Sequence, residues 1–131
     1  MDVKNDLGGG KPTLLIAEDE ESNYLLLKTI LHKYCNLIRA KTGLEALALF
    51  KENEVDLILM DIKMPIMNGL DATVIIRKKD KELPIIMQTA YAFTADREKA
   101  LECGASEVLV KPITLSALRT CLSRYLPKLV W

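Results

Sequence analysis

Short apolar runs alternate with amphipathic stretches along the whole chain. Thr13-Leu14-Leu15-Ile16-Ala17, Val55 to Met60, Pro84 to Thr89 and Glu107-Val108-Leu109-Val110 are too short for helices. Such runs read as strands buried on both faces. Asn36-Leu37-Ile38-Arg39-Ala40 is more polar, as an edge strand would be. Between the strands the apolar positions recur at helical spacing. Ser22 to Tyr34 carries Tyr24, Leu27, Ile30, Leu31 and Tyr34 on one side. Thr42-Gly43-Leu44-Glu45 has the form of a capping box and opens a helix that buries Ala46, Leu47 and Phe50. A third helix starts at Asn68 or Gly69 and runs through Arg77. A fourth, capped by Thr94, stops at Cys103-Gly104, and a fifth runs from Thr114 to Pro127.

Five strands alternating with five helices predict an α/β domain, with a parallel sheet covered on both faces by right-handed crossovers. The expected organisation is a flexible lead-in over residues 1–11, one domain over 12–127 and a tail over 128–131. Gly8-Gly9-Gly10 is not a phosphate loop, because it precedes the first strand instead of following it.

Composition narrows the function classes. At 131 residues with 50% hydrophobic and 27% charged side chains, the chain can build a single core. Eighteen basic and eighteen acidic residues cancel. No net positive field exists to hold nucleic acid or an anionic membrane, so neither is an expected partner. No apolar run approaches membrane-spanning length, and Met1 to Asp6 lacks the apolar core of a signal peptide. Cys35, Cys103 and Cys121 include no C-x-x-C pair and read as reduced thiols of a cytoplasmic protein.

The chemistry gathers at the carboxyl ends of the strands, where open α/β sheets bind ligands. Glu18 and Asp19 follow the first strand, Asp61 the third, Thr89 the fourth and Lys111 the fifth. In the common order 2-1-3-4-5, strands one and three are neighbours and the three carboxylates share one crevice. Like charges that close repel by roughly a few kcal/mol per pair at an effective dielectric of about 20. They require a raised pKa or a cation, and a hard divalent ion suits a set of carboxylate oxygens. Lys111 and the Thr89 hydroxyl stand on the opposite flank, placed to hold phosphoryl oxygens.

Glu18-Asp19, Asp61, Met64-Pro65, Gly69, Thr89-Ala90 and Lys111-Pro112, in this order, resemble the receiver domain of two-component response regulators over roughly residues 13–126. The resemblance implies a flavodoxin-like fold and a phosphorylation switch. It makes Asp61 the phosphoacceptor, taking its phosphoryl group from a histidine kinase or a histidine phosphotransfer domain. Mg²⁺ or Mn²⁺ would be held by Asp19, Asp61 and the Lys63 backbone carbonyl, with Glu18 acting through water. Thr89 and Lys111 would bond phosphoryl oxygens, and Ala90 would leave room for the group. The stretches around Tyr91 and Asp96 to Lys99 most resemble receivers of hybrid sensor histidine kinases, in which the domain would be tethered to a membrane-bound sensor. The alternative is a stand-alone regulator. The downstream target is not legible.

Val108 stands where many such domains carry a switching aromatic, so output here would use a different rearrangement. Three rivals fit less well. A haloacid-dehalogenase-type phosphatase needs an Asp two residues after its nucleophile, where Lys63 stands. A flavodoxin-like cofactor binder needs a Ser/Thr/Gly loop where the acidic pair stands. A degenerate receiver would lack some of the site residues.

Overall fold

The structure, a computed structural model, describes residues 10–90 and 94–131, and Thr94 by its backbone alone. The strands are β1 (Thr13–Ala17), β2 (Asn36–Ala40), β3 (Leu57–Asp61), β4 (Ile85–Thr89) and β5 (Glu107–Val110). The helices are α1 (Glu21–Leu31), α2 (Gly43–Glu52), α3 (Gly69–Arg77), α4 (Thr94–Cys103) and α5 (Leu115–Tyr125). All strand pairs are parallel and the order is β2-β1-β3-β4-β5, the doubly wound flavodoxin-like arrangement. Every residue of β3 and β4 is buried, whereas β2, at an edge, buries only Ala40 fully.

Each strand divides its side chains between two apolar layers, because alternate residues face opposite sides. Leu15, Ile58, Met60, Ile85, Met87 and Val108 pack beneath α2, α3 and α4. Leu14, Ile16, Leu57, Leu59 and Ile86 pack with Leu27 and Leu31 of α1 and with Leu118 and Leu122 of α5. Thr42, Asn68 and Thr114 cap α2, α3 and α5 by accepting from backbone N–H groups three residues on. In the box at α2, Glu45 accepts from the N–H of Lys41 at 2.8 Å, one residue before the cap.

Two boundaries depart from the periodicity. Residues 32–34 form a turn instead of extending α1, because Asn36 must join the sheet, where its N–H donates to the Pro12 carbonyl at 2.8 Å. The third strand begins at Leu57, because the Asp56 carboxylate turns back to accept from the Thr13 N–H at 2.7 Å. The expected lead-in lies almost wholly outside the described residues, as do Tyr91 and the side chain of Thr94. The chain after Pro127 folds back on the α1/α5 layer, where Leu129 and Trp131 pack. The Trp131 ring lies 5.0 Å from that of Tyr34 and beneath the Arg119 guanidinium. All three cysteines are free, and burial pushes the Cys35 and Cys121 thiols up to about 11 and about 12. Among the described residues no helix is long and apolar enough to cross a membrane.

Candidate functional site

β1 and β3 pair with Ala17 level with Met60, so Glu18 emerges level with Asp61. Leu14, Ile16, Leu57 and Leu59 face α1 and α5. The two-residue period therefore carries Glu18 and Asp61 to that same face. One carboxylate oxygen from each of Glu18, Asp19 and Asp61 lies within 4.8 Å of the others. Glu18 is fully buried, Asp61 nearly so, and Asp19 is exposed. Two inner groups and one at the mouth thus form an all-oxygen donor set, which suits a hard divalent cation.

Lys111 follows β5 and stands two strands away from β3. Its side chain spans β4, placing Nζ 2.8 Å from Glu18 Oε1 and 3.1 Å from Asp61 Oδ2. The sequence places Lys111 on the far flank of the carboxylates; the structure seats it between two of them. Burial alone pulls the Lys111 ammonium down, and the hydrogen bond and charges of Glu18 and Asp61 outweigh it, leaving its pKa above the ordinary value. For Asp61 the balance goes the other way. Burial, reinforced by the charge of Glu18, overcomes the attraction of Lys111 and pushes the carboxyl from 3.8 up to about 6. The remaining Glu18 oxygen accepts from the Glu20 N–H at 3.1 Å.

Thr89 ends β4, buried, one residue beyond the level of Asp61. The Lys111 N–H donates to its carbonyl at 2.7 Å, which ties the ends of β4 and β5 together ahead of the cis Lys111–Pro112 bond. Ala90 is exposed beside it. Lys63, exposed, lies in the loop after Asp61. That loop is fixed at both ends, with Ile62 N–H donating to the Gln88 carbonyl at 3.1 Å and Gly69 N–H to the Ile62 carbonyl at 2.8 Å. A Cβ on Gly69 would stand 2.1 Å from the Asp61 carbonyl oxygen, so only glycine lets α3 start this close to β3.

Two polar residues at the site were not singled out by the sequence. Gln88, level with Asp61 on β4, is buried, and among the described residues its Nε2 finds no hydrogen-bond partner. Arg39, on edge strand β2, reaches the backbone of the acidic turn, with Nε 3.1 Å and Nη2 3.0 Å from the Glu18 carbonyl oxygen. A polar residue inside an otherwise apolar strand was the available signal for each. Val108 is buried in the layer beneath α2 to α4, with no aromatic ring at that position.

A family profile described as the response regulator receiver domain matches residues 14–123. Hybrid signal transduction histidine kinase G of Dictyostelium discoideum is 42% identical over 120 residues, which are 87% of this chain and 4% of the kinase. The chain therefore spans a small fraction of that relative. Among solved structures, the receiver domain of a Pseudomonas aeruginosa sensor histidine kinase, with magnesium coordinated in its active-site cleft, is 29% identical. Its TM-score is 0.83, and the match covers 90% of this chain and 99% of that one. The receiver domain of a Saccharomyces cerevisiae response regulator, co-crystallised with a histidine phosphotransfer protein, is 31% identical. Its TM-score is 0.82, with 88% of each chain covered.

Proposed function

Because this chain belongs to the response regulator receiver domain family, we propose that Asp61 is the phosphoacceptor of a two-component phosphorelay, with a phosphohistidine as donor. The observation that carries this reading is the meeting of Glu18, Asp19 and Asp61 with Lys111 at one strand-end crevice. An Asp61 carboxylate oxygen attacks phosphorus, the phosphorus–nitrogen bond to the imidazole breaks, and its electron pair leaves with the ring. Lys111, already in reach of Asp61, moves onto a phosphoryl oxygen. The Thr89 hydroxyl, at the end of the neighbouring strand, bonds another. Catalysis of this kind is chiefly positioning and neutralisation of charge.

Mg²⁺ or Mn²⁺ fits the donor set. Glu18, Asp19, Asp61 and the Lys63 carbonyl would hold it, and when bound it supplies charge neutralisation for the phosphoryl oxygens. The magnesium in the Pseudomonas neighbour supports this assignment. The donor is a histidine kinase or a histidine phosphotransfer protein; the yeast neighbour's partner supports the second. The protein acts as a switch that catalyses only its own phosphorylation and dephosphorylation. It works in the cytoplasm, as residues 12–127 of a longer hybrid sensor kinase, a reading the Dictyostelium relative favours. With Val108 in place of a ring, output follows movement of Thr89 and of β5–α5 without an aromatic swing.

Incubation with acetyl phosphate and MgCl₂ is expected to yield a phosphoprotein whose label alkali and hydroxylamine both release, as an acyl phosphate requires, and none without divalent ion. Asp61→Asn is expected to be inert; equal phosphorylation of that variant would rule out the assignment.

A further inference from the structure

Asp19 supplies the exposed corner of the acidic cluster, and among the described residues no side chain bonds or pairs with its carboxylate. Where that carboxylate points is therefore set by the backbone of the turn between β1 and α1. Arg39 holds both carbonyls of that turn from the edge strand. Arg39 donates from Nε and Nη2 to the Glu18 carbonyl and from Nη2 to the Asp19 carbonyl at 3.4 Å. Its third nitrogen, Nη1, pairs with Glu21 Oε1 at 2.5 Å, and its guanidinium carbon lies 4.3 Å from the centre of the Tyr24 ring. The base of the side chain is fixed as well, since Arg39 sits in register with Ile16 on β2 and Glu18 N–H donates to the Ala40 carbonyl at 2.9 Å. A planar fork with several donors is preorganised to hold two successive carbonyls in this way; a lysine ammonium, a point charge on a flexible stem, is less so.

We infer that Arg39 is a positioning residue that orients the acidic turn for a divalent cation and so sets the affinity of this domain for Mg²⁺. The inference rests on the reading of the cluster as a cation site. Two effects of the guanidinium oppose each other. Its charge repels a cation, and its bonds fix the ligands before the cation arrives. Glu21 offsets part of the charge, while the bonds join two successive carbonyls at once, so orientation dominates. Groups that orient metal ligands from behind typically govern about ten- to a hundredfold in affinity. Loss of Arg39 is expected to weaken Mg²⁺ binding about tenfold.

The test is calorimetric titration of MgCl₂ into the wild type, Arg39→Gln, Arg39→Lys and Glu21→Gln, alongside phosphorylation rates from acetyl phosphate at graded Mg²⁺. Arg39→Gln should raise the Mg²⁺ Kd about tenfold. It should also raise the Mg²⁺ concentration for half-maximal rate in parallel, while the rate at saturating Mg²⁺ stays near that of the wild type. Arg39→Lys should recover only part of the affinity, and Glu21→Gln, which unmasks the charge but keeps the bonds to the two carbonyls, should weaken binding less than Arg39→Gln does. A purely structural role would lower thermal stability without this split. An unchanged or tighter Kd in folded Arg39→Gln, or full recovery in Arg39→Lys, would overturn the inference. Should Arg39→Gln not fold, Arg39→Lys carries the comparison alone. Failure of the wild type to bind Mg²⁺ would instead sink the cation-site reading beneath it.

Discussion

Asp61 is held in a state its surroundings resist. Its carboxyl is buried beside Glu18, and one ammonium serves both. A folded-state pKa raised from 3.8 to about 6 means that the fold favours the protonated form. The group then imposes no ionisation penalty below about pH 4 and a full one well above about pH 6, on the order of 3 kcal/mol at neutral pH. Asp61→Asn should therefore stabilise the metal-free domain at pH 7.5, with the gain fading toward pH 4. Urea melts at the two pH values measure this, and an equal gain at both would contradict it. A cation bound beside Asp61 would relieve that penalty, so cation binding and fold stability become linked.

At the level of elements, the site depends on how closely α3 begins behind β3. Alanine is ordinarily better than glycine inside a helix, by up to about 1 kcal/mol. At residue 69 that gain is overruled, because the added Cβ would meet the Asp61 carbonyl oxygen at 2.1 Å and the Met60 side chain at 2.8 Å. Strand backbone cannot yield as a side-chain tip can. Gly69→Ala is expected to destabilise the domain by about 2 kcal/mol net, in the range of overpacking penalties. It should also slow phosphorylation by displacing Asp61. Chemical denaturation gives the first effect and acetyl phosphate kinetics the second; a stabilised, fully active variant would refute the clash. The elements themselves were largely legible. Thr42 to Glu45 marked a helix start by residue type alone, and the apolar runs at β1, β3 and β4 marked strands by their length. Boundaries at residues 32–34 and at Val55 were misplaced, because pairing with Pro12 and Thr13 decided them and such partners lie far away in sequence.

Across the whole molecule, the ends of the sheet do different work. The carboxyl ends carry the acidic crevice. Near the amino ends lies the chain after Pro127, where the Trp131 ring packs at a tilt against Tyr34, in the turn beyond α1, and donates from Nε1 to Ser123 Oγ at 3.2 Å. Aromatic contacts of this kind contribute about 1 kcal/mol. Trp131→Ala should lower stability by that amount and leave the Mg²⁺ Kd unchanged, since well-separated sites act independently. A shift in Kd would show the two ends to be coupled.

The strand and helix alternation, the caps and the residue types at each strand end belong to the sequence itself, because they follow from periodicity and local hydrogen bonding. Tertiary structure alone decided that Lys111 sits between Glu18 and Asp61, that Arg39 grips the acidic turn from the edge strand, and that Gln88 lies buried level with Asp61. Each of these depends on side chains reaching across strands that are tens of residues apart along the chain. Only the finished sheet fixes such distances.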